Sequence, residues 1–441
     1  MEFRERRLNN GLQIVAECNL EAHSTALGLF VRAGARDETD SISGVSHFLE
    51  HMMFKGTPTR TAEQVNRDFD EIGAHYNAFT SEEHTVYYAA VLPEYQSGVV
   101  ELLCDIIRPS LRDEDFDTEK QVIIEEIRMY EDQPPFGADD KCRAAHYGTH
   151  PLSRSILGTV GSITNLSVDA MRGYFQRRYS PGNITLVGAG RIEFAALVEQ
   201  AQRLCGHWAA VEAPREAPPA PRTSGFQCLY KDTATFEYVL EMAAGPSATD
   251  DDRYAAKVLA TVIGDDSGSR LYWALVDSGL AEHAALGHHD YQGAGVFMTY
   301  MSCEPRHAQD NLDRIAQIYS QAQSEGITAE EVAQAKSKIN ARVVLGSERP
   351  RGRLFTVGSN WTQRRQYRTV RDDLDAINAI TRDDLMDVLA RYPLSINTTL
   401  AIGPVTELTA PDGRQKAEGK KEKAKGKRQK AEDKRQTEKD G

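Results

Sequence analysis

The sequence has no long apolar run, few cysteines and no paired-cysteine motif. No stretch of about 18 apolar residues occurs, so we expect no membrane span. The six cysteines are scattered and none stands in a C-x-x-C pair, which predicts buried, reduced thiols. The amino-terminal residues lack the apolar centre of a secretory signal. Together these features lead us to expect a cytoplasmic protein.

Charge is distributed unevenly along the chain. Residues 414–441 hold 12 Lys and Arg against 6 Asp and Glu, whereas residues 1–413 hold 40 basic and 59 acidic residues. So acidic a body argues against a nucleic-acid-binding groove. Residues 411–441 lack aromatic and branched apolar side chains, which predicts a disordered charged tail. Such a tail solubilises the chain or, alternatively, binds an acidic partner or nucleic acid.

The length of 441 residues exceeds what one hydrophobic core of about 250–300 residues accommodates, so two domains are expected. Four prolines between positions 214 and 221 favour an extended linker. We therefore predict a first domain over residues 1–210, a linker over 211–225 and a second domain over 226–410. Each half passes from strand to helices and closes on a strand, at 183–188 and 397–403. This order predicts an α+β fold of two homologous domains, each a mostly antiparallel sheet packed against helices.

One short motif carries the chemistry. Residues 43–54 predict a buried helix with Ser43 as its N-cap. His47 and His51 are four residues apart, so both imidazoles leave one helix face, a spacing that suits two ligands of one zinc ion. Glu50 borders that face and can sit beside a metal without coordinating it. The pattern H-x-x-E-H is the inverted form of a common zinc-protease motif. The alternative is a hydrogen-bonded pair of core histidines with a nearby carboxylate.

A third metal ligand must come from another segment. The helical pattern at residues 115–129 contains Glu119, Glu125 and Glu126. A carboxylate from this helix would complete a site of two histidines and one glutamate, leaving a fourth position for water. Spacing alone does not choose among the three glutamates.

Three segments resemble one known family. They read GVSHFLEHMMFKGT at 44–57, GAHYNAFTSEEHTVYY at 73–88 and EKQVIIEEIRM at 119–129. These segments resemble the pitrilysin/insulinase family of inverted-motif zinc peptidases, which includes the mitochondrial processing peptidases. The similarity extends over about residues 5–405.

The resemblance implies a role for each matching residue. His47 and His51 match the first two zinc ligands, Glu126 matches the third, and Glu50 matches the catalytic base. Glu119 matches the glutamate that orients a ligand histidine or tunes its basicity.

The resemblance also implies a substrate and an assembly. Asn77 and Ala78 match an edge strand that pairs with substrate backbone, and Phe79 matches a position bordering a side-chain pocket. The implied activity is that of an endopeptidase cutting extended peptides or unfolded segments inside a dimeric chamber, with one Zn²⁺ in each chain. The alternative is a non-catalytic structural or assembly subunit of the same fold.

The second half departs from the family pattern. The family usually carries an arginine and a tyrosine that hold substrate and stabilise the tetrahedral oxyanion. Here Leu275 and Glu282 stand at those positions. We therefore expect a hetero-dimer with a related chain that supplies the pair. A homodimer in which other residues replace it remains the alternative.

Overall fold

Two β-sheets organise residues 1–411, the part of the chain that the computed structural model describes. Almost all of the predicted tail, residues 412–441, lies outside the described residues. The first sheet has the order β1-β2-β6-β3-β5-β4, formed by β1 Glu2–Arg7, β2 Gln13–Cys18, β3 Thr25–Val31, β4 His75–Thr80, β5 Thr85–Val91 and β6 Ile184–Gly190. The second sheet has the order β7-β11-β8-β10-β9, formed by β7 Gly225–Tyr230, β8 Glu237–Gly245, β9 His283–Tyr291, β10 Ala294–Cys303 and β11 Asn397–Gly403.

Helices fill the connections between strands. Those of the first half are α1 Val45–Met52, α2 Ala62–Glu71, α3 Gln96–Ile106, α4 Asp113–Asp132, α5 Ala138–Tyr147, α6 Val160–Asn165, α7 Val168–Arg178 and α8 Phe194–Cys205. Those of the second half are α9 Arg253–Gly264, α10 Ala308–Ser324, α11 Ala329–Ser347, α12 Pro350–Arg364, α13 Val370–Ala379 and α14 Arg382–Arg391. Residues 211–224 connect the halves without helix or strand.

The two sheets repeat one topology. Apart from β1, the strands correspond one to one: the parallel pair β2–β6 matches the parallel pair β7–β11, and every other pairing in both sheets is antiparallel. The hairpin β4–β5 likewise matches β9–β10. The predicted α+β fold of two homologous domains is therefore confirmed.

The halves exchange one helix each. The first-half helix α5 packs on the second sheet, where Ala138 and Cys142 join a core with Leu240 and Leu400. In return, the second-half helix α12 packs on the first sheet. Its Gly358 makes this approach possible, because a Cβ at that position would lie 2.3 Å from the ring of Phe30. Each sheet therefore has one face covered by the other half.

A buried ion pair reinforces the exchange. Arg353 of α12 donates from Nε and Nη2 to the carboxylate of Glu17 at 2.9 and 2.6 Å. Tyr367 donates to the same carboxylate at 2.8 Å. A bidentate pair of this kind fixes direction as well as distance, so the register of α12 against β2 is defined.

Candidate metal and active site

Helix α1 carries the H-x-x-E-H motif and begins at an unusual residue. Val45, Phe48, Leu49 and Met52 form its buried face. The predicted N-cap, Ser43, is wrong, because Gly44 takes that place with φ of 91°, in the left-handed region. A Cβ on Gly44 would lie 2.4 Å from the carbonyl oxygen of Leu157, so only glycine fits there.

A distant carboxylate satisfies the amino end of α1. Glu38 accepts hydrogen bonds from the backbone N–H groups of Gly44 and Ser46 at 2.7 and 2.8 Å. Burial raises the pKa of Glu38 to about 8. Sequence patterns do not identify this residue, because a capping residue usually stands directly before its helix and Glu38 lies six residues before Gly44.

Aromatic packing brings α4 against α1. The rings of Phe48 and Phe116 stack with centroids 4.7 Å apart. Ile123 and Ile127 extend the buried side of α4. The stretch Glu119–Glu126, two turns of α4, therefore faces the histidines of α1.

His47, His51 and Glu126 converge on one point. Their ligand atoms all lie within 4.8 Å of one another, and each Nε2 is 3.8 Å from Glu126 Oε2. Ligands at about 2.0–2.2 Å from a tetrahedral zinc ion are about 3.4 Å apart. The three side chains therefore fit a divalent metal of zinc's size.

Glu119 fixes the orientation of His51. The Nδ1–H of His51 donates to Glu119 Oε1 at 2.8 Å, which leaves Nε2 free to face Glu126. Lys55 binds the other oxygen of Glu119 at 2.6 Å. Glu125 points away, with a side chain 69% exposed and paired to Arg128 at 2.5 Å. The geometry thus separates the three glutamates that spacing could not.

Glu50 lies beside the cluster and is held from the edge strand. Thr80 of β4 donates its hydroxyl to Glu50 Oε2 at 2.6 Å, leaving Oε1 available. The sequence interpretation missed Thr80, although it lies two residues after Ala78 and so on the same face of the strand.

Burial controls the protonation of these groups. It lowers the pKa of His47 to about 3, and the nearby His51 adds to the effect, so His47 is neutral and offers a lone pair at neutral pH. Burial also raises the pKa of Glu50, against the hydrogen bond from Thr80. For His51, burial lowers the pKa, but the hydrogen bond and charge of Glu119 outweigh it and the net shift is upward.

The predicted substrate-binding residues lie on β4, which ends the first sheet. No other strand of residues 1–411 pairs with the outer side of β4. On that strand the N–H of Ala78 donates to the side chain of Asn77 at 2.8 Å. Phe79 is 41% exposed and packs 5.9 Å from Phe355 of α12. The edge is therefore open to an added strand and bordered by a helix from the second half.

The two atypical positions of the second half, Leu275 and Glu282, differ in burial. Leu275 is fully buried in the core of the second half. Glu282 is exposed, and its backbone N–H donates to Ser302 at the end of β10. Neither side chain can replace an arginine or a tyrosine as a hydrogen-bond donor to an oxyanion.

Family models match both halves of the chain. Residues 13–160 match the model described as Insulinase (Peptidase family M16). Residues 165–339 match the model described as Peptidase M16 inactive domain. The converging histidines and glutamates all lie in the first match, and the two atypical positions lie in the second.

Relatives and solved structures agree with these matches. A protein named uncharacterized zinc protease from Streptomyces coelicolor is 31% identical over 92% of this chain and 91% of its own length. Uncharacterized zinc protease YmxG from Bacillus subtilis is 31% identical over 89% of this chain and 96% of its own. A protease from Helicobacter pylori has the same fold, with a TM-score of 0.86 at 22% identity, covering 91% of this chain and 99% of the other. The chain therefore belongs to the insulinase, or M16, family of peptidases.

Proposed function

We propose that the protein is a zinc-dependent endopeptidase that cuts extended peptides or unfolded segments. The observation that carries this proposal is the convergence of His47, His51 and Glu126, with Glu50 beside them and an open strand edge within reach. The names of the relatives, which are zinc proteases, support the choice of metal.

Each residue of the site has a separate role in the proposed hydrolysis. Zinc held by His47, His51 and Glu126 would polarise the scissile carbonyl and lower the pKa of water from about 15.7 to roughly 7. Glu50 accepts the proton of the attacking water and returns it to the leaving amine. The hydroxyl of Thr80 holds one oxygen of Glu50 in place, so the other oxygen is directed at the reaction.

The substrate is proposed to lie as an added strand along β4. The N–H of Ala78, which now donates to Asn77, would donate to a substrate carbonyl instead. Affinity then comes mainly from backbone hydrogen bonds, which give a loose sequence preference. Phe79 and Phe355 would contact the substrate side chains that point toward α12.

The chamber requires a second chain. Leu275 and Glu282 cannot stabilise an oxyanion, so we propose that a related chain supplies an arginine and a tyrosine in a hetero-dimer, with a homodimer as the alternative. We propose a cytoplasmic location because the six cysteines are free thiols. None of the helices within residues 1–411 is both long and apolar enough to cross a membrane.

A substitution at Glu50 tests the activity. The purified wild-type chain should hold zinc and cleave an unstructured peptide, with chelator removing both. Glu50→Gln should keep the zinc and lose cleavage, whereas His47→Ala should lose both. The competing function, a non-catalytic subunit of the same fold, predicts no cleavage by the wild-type chain even with zinc and partner present. Near-normal turnover by Glu50→Gln would exclude the proposed mechanism.

A further inference from the structure

A large cavity lies beside the proposed substrate path. It has a volume of about 600 Å³ and is lined by residues of β9, α9, α11, α12 and α13. Phe355 is part of its wall, and the same ring contacts Phe79 of β4 and Tyr88 of β5, with centroids 5.9 and 4.9 Å away. A peptide paired with β4 would therefore reach this cavity without leaving the surface.

A second cavity extends the path along the same strand. Its volume is about 500 Å³, and His75, the first residue of β4, lines it. The two cavities share Ser347 and Arg353 in their walls. The space beside β4 thus continues past the strand into the second half of the molecule.

The charge of the larger cavity is opposite to that of the body. Its lining contains five basic and two acidic side chains, namely Arg253, Lys257, Arg342, Arg353, Arg364, Asp290 and Asp373. Glu17 neutralises Arg353, and Asp290 neutralises Arg364 at 2.5 Å. Asp373 is bound by Arg368 at 2.7 Å. Of the other three cations, Lys257 forms no ion pair within residues 1–411, whereas Arg253 pairs with Asp251 and Arg342 pairs with Asp265. The lining keeps an excess of basic side chains, although residues 1–413 as a whole are strongly acidic.

Lys257 and the exposed part of Arg342 are available to a ligand. Arg253 and Lys257 are one turn apart on α9, a like-charge spacing that destabilises a helix on its own. Arg253 is held by the carbonyl of Asp250 at 2.7 Å and by the hydroxyl of Tyr254 at 3.2 Å, and its side chain is only 10% exposed, so it contributes positive charge to the wall rather than a free donor. Lys257 is exposed and forms no ion pair within residues 1–411. Arg342 contacts Asp265 at 2.6 Å and keeps 58% of its side chain exposed.

We propose that this cavity binds an acidic segment of the peptide substrate, beyond the residues that pair with β4. The inference rests on the proposed function, because it takes the peptide bound at the edge strand as the occupant. Ser359 and Asn360 on α12 add a hydroxyl and an amide group to the lining. Both groups can donate hydrogen bonds to a carboxylate. The cavity would thereby favour substrates with an acidic segment, which the backbone hydrogen bonds to β4 do not distinguish from other peptides.

Peptide binding to the Glu50→Gln chain tests the proposal without turnover. Labelled unstructured peptides would be compared in pairs that differ only in one block, which is of glutamates in one peptide and of glutamines in the other. In one pair the block precedes a central cleavable segment, and in a second pair it follows that segment. At the block position that reaches the cavity, the glutamate peptide should bind at least about fivefold more tightly than the glutamine peptide at low salt. The preference should shrink at high salt because the charges are exposed.

Charge reversal locates the effect. Lys257→Glu, added to Glu50→Gln, should abolish or invert the preference, and Arg342→Gln should weaken it. The matched control is Arg314→Glu, which makes the same charge reversal at an exposed position of α10 that lines neither cavity. The control should keep the full preference for the glutamate peptide.

Three results would overturn the proposal. They are equal binding of the glutamate and glutamine peptides at both placements, equal effects of Lys257→Glu and Arg314→Glu, and binding of an oligonucleotide through Lys257 as tight as that of the acidic peptide. The proposed function fails separately. A wild-type chain that prefers acidic peptides but never cleaves them, even with zinc and the partner chain present, would refute the peptidase and leave the cavity assignment standing.

Discussion

At the scale of single residues, Glu119 orients His51 but is not one of the three proposed metal ligands. Glu119→Gln should weaken zinc binding about 10–100-fold, because His51 loses a charged acceptor for its Nδ1–H. Lys55 loses its carboxylate partner as well. Competition with a chelator would measure the loss. The control is Glu125→Gln on the same helix, and equal zinc loss in both variants would mean that the roles of the two glutamates are misassigned.

Other residues of the site show what a sequence pattern can and cannot supply. The i, i+4 spacing brought His47 and His51 together correctly, and the resemblance chose Glu126, which the structure places beside them. Glu38 and Thr80 were missed. Both act across loops from another element, and the partner of such a contact is decided by tertiary packing rather than by periodicity.

At the scale of elements, the start of α1 depends on one glycine. Gly44→Ala should destabilise the protein by about 3 kcal/mol or more and reduce zinc occupancy, because a methyl group would collide with Leu157 and strain a left-handed residue. Gly73→Ala is the matched control: its φ is also positive, at 60°, but nothing lies within 4 Å of the added carbon. It should cost about 1 kcal/mol. Urea unfolding of both variants measures the difference, and equal costs would remove the close-contact argument.

The contact between α5 and the second sheet should respond to pH. His146 lies between Thr223 and Thr398, each 3.2 Å from its Nδ1. Burial, aided by the charge of Arg143, lowers the pKa of His146 to about 4. In the unfolded chain this histidine binds a proton at about pH 6.5, whereas in the folded chain it binds one only near pH 4. Stability therefore falls as the pH drops from about 6.5 to 4.

A variant isolates this contribution. The loss of unfolding free energy between about pH 7 and pH 5 should be about 2 kcal/mol smaller in His146→Gln than in the wild type. Urea titrations at the two pH values provide the measurement. His23→Gln, at an exposed position, should leave the pH dependence unchanged. An unchanged slope in His146→Gln would show that other groups carry the acid sensitivity.

Sequence patterns located many elements but not their packing partners. The predicted strand at 397–403 has the observed bounds of β11, and the strand predicted at 183–188 overlaps β6, which spans Ile184–Gly190. The exchange of α5 and α12 was not predicted. An amphipathic pattern such as that around Leu354 and Val357 identifies a buried face, but either sheet could bury it, and only the three-dimensional structure decides which one does.

At the scale of the whole molecule, we expect the chain to act with a partner. Removing one oxyanion donor typically costs about 10²–10³ in turnover, and both positions where the family usually carries such residues are atypical here. The purified chain with stoichiometric zinc should therefore cleave peptides weakly, and a related chain with an intact arginine and tyrosine should raise turnover by about that factor. The matched control is a partner variant lacking its tyrosine. High turnover by the pure homodimer, unchanged by any partner, would refute the hetero-dimer.

The helix exchange has a consequence for biosynthesis. The strands of the first sheet are all translated once Gly190 has been added, but α12, which covers one face of that sheet, begins about 160 residues later. At about 5–20 residues per second, ribosomes take roughly ten to thirty seconds to deliver it. During that interval Phe30, Val86 and Val187 lack their cover. We therefore expect the nascent first half to expose this apolar face until α12 is made, and so to depend on chaperones that shield such surfaces at the ribosome exit.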